Sequence, residues 1–243
     1  MHRRMILDFT WAIGLMCTLV GCGSLLPESP ILKANFEKDV VGTKPTSDIP
    51  DDPDGDAIHL YGSKSGSAIV IAAPAGLSGK SLSYRHSPGP AYARYVLFIG
   101  KEISPSVDQV WATWEAVPQI VDGVPLDVWI GNSNFGRIGQ IRFLNGQVFV
   151  RENDSEDSFT PIQNGTFRNG VLHQIVIRVD KKNSTYQFLM LGGGGSSPWG
   201  TDRLPVLSSR VLATTQPTIT FHFSSEGTST STYAIDDVRI TAK

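Results

Sequence analysis

The chain lacks the features that would assign it at once to several common classes. It has only two cysteines in 243 residues, Cys17 and Cys22, so no disulfide framework is available beyond the N-terminus. No segment shows a sustained apolar period of 3.6 residues, the pattern of an amphipathic helix. The net charge of −2 provides no basic surface for nucleic acid. These absences argue against a disulfide scaffold, a helical protein and a nucleic-acid partner.

Common catalytic motifs are also missing. The histidines at positions 59, 86, 173 and 222 are scattered, without the spacing of a zinc site. No nucleophile elbow, phosphate-binding loop or dinucleotide-binding glycine pattern occurs. Acyl transfer, nucleotide chemistry and hydride transfer therefore have no support in the sequence.

The N-terminus has the pattern of an export signal. Arg3 and Arg4 precede an uncharged, mostly apolar run, Phe9–Val20, which is shorter than the ~20 residues of a membrane span. The following Leu-Val-Gly-Cys, ending at Cys22, resembles the lipobox of bacterial lipoproteins. An ordinary secretory signal with a chance cysteine is the alternative.

The resemblance to a lipobox implies a cellular location and a division of the chain into segments. Residues 1–21 are predicted to be the lipoprotein signal peptide, Cys22 to carry the acyl groups such as palmitate, and residues 22–33 to form a tether. Residues 34–243 would then form one domain in the bacterial cell envelope, with the membrane as a partner through the lipid. Because Gly23 is not acidic, the expected location is the outer membrane if the host has one.

The remainder of the chain is predicted to be all-β. Short runs rich in β-branched and aromatic residues recur between glycine- and proline-containing turns, which is typical of a sandwich or barrel. Asn145-Gly146, between IRFL and QVFV, predicts a tight hairpin because both turn positions favour positive φ. Lys181–Ser184 is predicted to connect a second hairpin.

Three segments together resemble a known fold group. They are the N-F-E of Asn35–Glu37 with the following V-G-x-x-P, the block NGVLHQIVIRVDKKNSTYQFLML, and Y-A-I-D-D-V-R-I at Tyr233–Ile240. The resemblance is to the concanavalin A-like jelly rolls, including laminin-G-like domains. It implies a two-sheet antiparallel jelly-roll sandwich with adjacent first and last strands. Lectins, glycoside hydrolases, polysaccharide lyases and structural domains all share this fold.

The same resemblance implies a structural calcium ion. Glu37 and Asp236 are the expected ligands, with Asp237 second, and calcium prefers such carboxylate oxygens. Strand alternation places Asp236 on the same face as Ala234 and Val238. A buried carboxylate on that face needs a partner, which could be calcium or backbone amides.

One acidic motif raises the question of catalysis. Glu152, Asp154 and Glu156 form E-x-D-x-E, which resembles the catalytic strand of laminarinase-like glycoside hydrolases. Asn153 and Ser155 stand where such a strand carries apolar residues. The segment is therefore predicted to be a surface turn and not catalytic.

Two tryptophans are candidates for glycan binding. Trp129 precedes Asn132 and Asn134, with packing in the core as the alternative role. Trp199 lies in a glycine-rich loop where exposure is expected, with anchoring of that loop as the alternative. An accessible aromatic ring beside polar groups suits a saccharide. We therefore expect a lipid-anchored protein with a non-catalytic, lectin-like domain. A hydrolase or lyase, or a purely structural or protein-interaction lipoprotein, remains the alternative.

Overall fold

The structure is a computed structural model that describes residues 30–45, 58–61, 68–86, 94–153, 158–191, 199–223 and 230–243. Within these ranges the chain forms two antiparallel β-sheets packed face to face. This arrangement confirms the all-β, jelly-roll sandwich expected from the sequence.

The first sheet has nine strands and places the last strand of the chain near its centre. In spatial order its main path runs β13, β12, β11, β6, β16, β4 and β3, while β1 pairs with β16 and β14 with β12. The strands are β1 (Pro30–Ala34), β3 (Ala68–Ala72), β4 (Lys80–His86), β6 (Gln109–Gln119), β11 (His173–Asp180), β12 (Thr185–Leu191), β13 (Trp199–Gly200), β14 (Leu204–Pro205) and β16 (Ser231–Ala242).

The second sheet has seven strands and carries the candidate site. In spatial order they run β10, β9, β8, β7, β15, β5 and β2. Their bounds are β2 (Ile58–Tyr61), β5 (Arg94–Ile99), β7 (Leu126–Gly131), β8 (Arg137–Leu144), β9 (Gln147–Arg151), β10 (Phe159–Thr166) and β15 (Thr218–Phe223). A short helix, α1 (Ser209–Leu212), precedes β15. In the described ranges, no helix has the length and apolar character needed to cross a membrane.

Both predicted hairpins are confirmed. Asn145 and Gly146 have φ values of 51° and 74°, as a two-residue turn between β8 and β9 requires. Strands β11 and β12 pair along their whole length around Lys181–Ser184.

The first and last described strands are neighbours, as expected. Ala34 of β1 is in register with Val238 of β16. Pro30–Lys33, which the sequence assigned to the tether, belong to β1 and to the sheet. The tether prediction therefore extended too far into the domain.

The core lies between the two sheets and is rich in aromatic rings. Trp114 of β6 donates a hydrogen bond from Nε1 to the hydroxyl of Tyr233, 3.1 Å away. Its ring also meets Phe221 of the opposite sheet edge-to-face, with centroids 5.4 Å apart. Because side chains alternate along each strand, the intervening residues form the outer faces of the sandwich.

A bulge in β16 makes the side-chain alternation around Asp236 differ from the predicted one. The pairing of β16 with β6 shifts register between Asp236 and Arg239, and Asp237 has a positive φ of 48°. Ile235 and Val238 both join the core, whereas Asp236 lies outside the core cluster. The extra residue reverses the phase of the strand, so Asp236 does not share a face with Val238.

Candidate functional site

The candidate site is the outer face of the seven-stranded sheet. Its register aligns Phe149 of β9 with Arg142 of β8, Arg142 with Asp127 of β7, and Asp127 with His222 of β15. A second row aligns Gln140 with Trp129. None of these side chains belongs to the core cluster.

Arg142 is held by a carboxylate and an aromatic ring. Its Nε and Nη2 donate to the two carboxylate oxygens of Asp127 at 2.7 and 2.9 Å. Its guanidinium also lies 3.9 Å from the ring centroid of Phe159 in β10. Bidentate pairing and stacking both fix the plane of the guanidinium, while the side chain stays 27% exposed.

Trp129 lies beneath polar groups on the same face. The guanidinium of Arg137 is 5.0 Å from its ring centroid, and His222 meets it edge-to-face at 6.2 Å. The residue is only 1% exposed. Trp129 therefore supports this surface from below and is not the accessible sugar platform expected from the sequence.

Arg151 and Gln140 extend the polar network inward. Arg151 donates from Nη1 to Oε1 of Gln140 at 2.9 Å and from Nε to the carbonyl of Asn153 at 3.0 Å. Both Arg151 and Gln140 are buried. The guanidinium of Arg151 also lies 5.9 Å from the ring centroid of Phe159, so this buried pair supports that ring.

His222 is a neutral group within this positive surface. Burial lowers the pKa of His222 to about 4, and the nearby Arg137 and Arg142 lower it further against the opposing charge of Asp127. The imidazole therefore carries no charge near pH 7. It presents polar nitrogens without adding a cation.

The outer face of the nine-stranded sheet also carries a stacked arginine. The guanidinium of Arg178 in β11 lies 5.1 Å from the ring centroid of Trp111 in β6. Trp111 also donates from Nε1 to Oε1 of Gln109 at 3.3 Å. This pair lies on the opposite side of the sandwich from Arg137 and Trp129 and has the same contact between a guanidinium and a tryptophan ring.

The two candidate asparagines lie in the turn between β7 and β8. Oδ1 of Asn132 accepts from the amides of Asn134 and Gly136 at 3.1 and 3.0 Å. Asn134 is exposed at the surface. Asn132 therefore shapes the turn, and Asn134 is the one that a ligand could reach.

Trp199 is buried, contrary to the exposure expected from its glycine-rich surroundings. It is 6% exposed and belongs to the core cluster. Its Nε1 donates to the carbonyl of Thr166 at 3.2 Å, and its ring packs against Phe188 with centroids 5.5 Å apart. Pairing of β13 with β12 draws the ring into the sandwich, so it cannot offer a face to a sugar.

The acidic motif begins beyond a strand. Strand β9 ends at Arg151, and Glu152 is exposed in the connection to β10, where its amide donates to the carbonyl of Ser158. Asp154 and Glu156 lie outside the described residues. Of the three acids, the structure therefore describes only Glu152, which does not lie on a strand as the resemblance to a catalytic strand would require.

The predicted calcium ligands lie near one another in a group of acids. Burial raises the pKa of Asp236 to about 7, and the charges of Asp237, Glu37 and Glu115 raise it further. Asp236 accepts from the amide of Asp237 at 2.7 Å, and Asp237 pairs with Arg239. Among the described side chains, no three carboxylate, imidazole or thiol groups form a set that could hold a metal ion.

The arginines of the candidate site were missed from the sequence. In β8, Gln140 and Arg142 alternate with Ile141 and Phe143, and Arg151 likewise follows Val150 in β9. This alternation predicts polar groups on one outer face. The alternation does not show which strands are neighbours in the sheet and so bring these polar groups together.

Comparisons with solved structures show the fold of the chain. No family model and no curated protein matches it. An endo-β-1,4-glucuronan lyase from Trichoderma reesei is similar at TM-score 0.57 and 9% identity, over 88% of this chain and 96% of the lyase. The lectin UEA-II complexed with galactose has TM-score 0.55 and 12% identity, over 88% and 100%.

A third similar structure is the catalytic domain of a glycoside hydrolase family 131 protein from Coprinopsis cinerea. Its TM-score is 0.57 at 9% identity, over 87% of this chain and 93% of that domain. Lectins, a lyase and a hydrolase thus have the same concanavalin A-like sandwich as this chain. At these identities the likeness concerns the fold and not the activity.

Proposed function

We propose that this protein is a lipid-anchored envelope protein that binds a glycan without cleaving it. The site would be the outer face of the seven-stranded sheet around Arg142, Phe159 and His222. The observation that carries the proposal is the combination, on one rigid face, of half-buried aromatic rings with fixed hydrogen-bonding side chains. Aromatic rings stack on the C–H faces of sugars while polar groups bind the hydroxyls.

Binding is favoured over hydrolysis by the acids available on this face. Glycosidases use two carboxyl groups roughly 5–10 Å apart. On the outer face of β7, β8, β9 and β15, the only carboxylate is Asp127. Both of its oxygens accept hydrogen bonds from Arg142, which holds it as a structural partner and not as an acid or nucleophile.

The similar structures support carbohydrate as the ligand class. The three are a lectin complexed with galactose, a glucuronan lyase and the catalytic domain of a glycoside hydrolase family 131 protein. The lipid anchor at Cys22 is a separate part of the proposal and is supported by the sequence motif alone.

A polysaccharide lyase is the second candidate, and His222 is the observation that favours it. In β-elimination a base removes the C5 proton of a uronate sugar, the C4–C5 double bond forms, the C4–O bond breaks, and the leaving oxygen takes up a proton. A neutral imidazole can accept the C5 proton, and a neighbouring guanidinium can stabilise the charge that develops on the carboxylate.

The experiment is a binding screen of the full chain in detergent against soluble polysaccharides. Phe159→Ala should weaken glycan binding about tenfold, since one aromatic contact is worth about 1 kcal/mol or more. Trp111→Ala is the matched control because it removes a ring that also packs against an arginine, on the other sheet. It should leave binding unchanged.

Three outcomes would contradict the proposal in different ways. Loss of binding in Trp111→Ala but not in Phe159→Ala would place the site on the nine-stranded sheet. Failure to bind any glycan would leave a structural or protein-interaction role. Release of unsaturated sugars, seen as ultraviolet absorbance and abolished by His222→Gln, would make the protein a lyase.

A further inference from the structure

Arg137 presents an unsatisfied donor on the proposed glycan face. Its Nε is buried and has no hydrogen-bond partner, while its guanidinium lies against the ring of Trp129. A buried donor left without an acceptor has lost its hydrogen bonds to water without replacement, which destabilises the folded chain. Nε is too deeply buried for a ligand to reach, but the guanidinium makes no other hydrogen bond among the described residues. Its terminal Nη1 and Nη2 donors are therefore the groups that an acceptor of a ligand can bind.

Arg142 offers a second guanidinium on the same face. Asp127 takes hydrogen bonds from Nε and Nη2, whereas Nη1 makes none among the described residues. The ring of Phe159 supports the guanidinium from one side, and the side chain remains partly exposed. The donors on Nη1 are therefore held in a fixed direction without a protein acceptor.

The charge of this face is opposite in sign to that of the whole chain. The outer side of β7, β8, β9 and β15 carries the partly exposed Arg137 and Arg142 and the buried Arg151, and Asp127 is the single carboxylate on these strands. His222 adds no charge near pH 7. The chain as a whole has a net charge of −2. A local excess of guanidinium groups on an acidic protein attracts an anion.

We infer that the ligand of this face is an acidic polysaccharide whose anionic groups bind Arg137 and Arg142. This inference rests on the proposed glycan-binding function and names its substrate class. A guanidinium donates two parallel hydrogen bonds to a planar carboxylate, which makes arginine well suited to uronate sugars. Sulfate esters have similar acceptor oxygens, and the comparison of ligands described below separates uronate from sulfate.

The spacing of the two arginines suits one polysaccharide chain. Arg137 is in register with Gly131 of β7 and Arg142 with Asp127. Four residues along a strand correspond to about 13 Å. This is the spacing of the backbone positions; the guanidinium of Arg137 leans over Trp129, which is two residues closer to Asp127. Both guanidinium groups lie on one face, within reach of a single polysaccharide chain.

The first test compares ligands that differ only in charge. Polygalacturonate and its methyl-esterified form share one backbone, and only the free acid carries carboxylates. The full chain in detergent should bind the free acid at least about tenfold more tightly, and added salt should weaken that binding by screening. Dextran sulfate, a neutral glucan that carries sulfate esters and no carboxylates, tests sulfate as the ligand group. A neutral β-glucan is the uncharged ligand, and polyglutamate is the acidic peptide.

The second test removes the charge of Arg137. Arg137→Gln should weaken polygalacturonate binding about tenfold or more and leave binding of the methyl ester unchanged. Arg137→Lys keeps the charge without the planar donor pair and should fall in between. Arg178→Gln is the matched control, because Arg178 also has a buried unpaired Nε and stacks on a tryptophan. It should bind like the unchanged chain, and melting temperatures will report whether each variant is folded.

The outcomes separate this inference from the proposed function. Equal binding of the free acid and its methyl ester, or equal losses in Arg137→Gln and Arg178→Gln, would overturn the anionic ligand and leave a neutral-glycan protein. Preference for dextran sulfate would replace uronate by sulfate, and preference for polyglutamate would replace the glycan by an acidic peptide. Failure of every glycan arm would overturn the proposed function itself.

Discussion

Asp236 of β16 lies directly opposite Glu115 of β6, so two carboxyl groups occupy one cross-strand pair. Like charges at such a pair repel. Burial raises the pKa of Glu115, and the charge of Asp237 raises it further against the opposing effect of Arg239. The folded chain therefore tends to keep protons at this pair that an unfolded chain would release.

This pair predicts that stability falls as the pH rises. Burial raises the pKa of Asp236 to about 7 from the ordinary value of 3.8. Between these two values the folded state binds a proton that the unfolded state has lost, so the free energy of unfolding decreases with increasing pH and levels off above about 7. Urea denaturation across this range, in excess chelator, measures the effect.

Asp236→Asn should remove much of that decline. The amide can still accept the hydrogen bond from the Asp237 amide, and it carries no charge. We expect stabilisation on the order of 2 kcal/mol near pH 8 and little change near pH 4. Asp122→Asn, at an exposed turn position, is the control. A pH profile of Asp236→Asn identical to that of the unchanged chain would refute this origin of the effect.

Calcium at Glu37 and Asp236 stays a prediction. A divalent ion would offset the repulsion among these acids, and binding to the folded state alone would stabilise it by mass action. Calcium should therefore raise the melting temperature of the unchanged chain above pH 7 but not that of Asp236→Asn. An unchanged melting temperature in excess chelator would argue against the ion.

Trp199→Ala should act on stability. Because the ring is buried against Phe188, its removal should cost about 3–5 kcal/mol. Trp111→Ala removes a half-exposed ring and should cost much less. Denaturant midpoints of the two variants provide the comparison. A loss of glycan affinity in Trp199→Ala at unchanged stability would restore the binding role expected from the sequence.

Cys22 is predicted to anchor the chain in the membrane. It lies outside the described residues, and β1 begins shortly after it at Pro30. Cys22→Ser should move the protein from the membrane fraction to the soluble or precursor fraction. Mass spectrometry of the membrane-extracted protein should find acyl groups on Cys22. An unmodified Cys22 in that fraction would contradict lipidation.

The local sequence pattern was sufficient to predict most strands and the turns between them. Three of the short runs rich in β-branched and aromatic residues, Gln147–Arg151, Thr185–Leu191 and Thr218–Phe223, are strands in the structure. Alternation and a turn such as Asn145-Gly146 act within a few residues, so one sequence suffices to identify them. The local pattern does not indicate strand β10, because Pro161 and Asn164-Gly165 interrupt it, and an edge strand tolerates such residues.

The candidate site was decided by tertiary structure. Arg142, Asp127 and His222 lie on three strands, and only the order β8, β7 and β15 brings them side by side. The bulge at Asp237 and the burial of Trp199 likewise depend on neighbouring strands that the local sequence does not specify. The sequence by itself determined which segments become strands and which side chains alternate. Sheet order and register decided which of those side chains meet, because they depend on contacts between segments far apart in the chain.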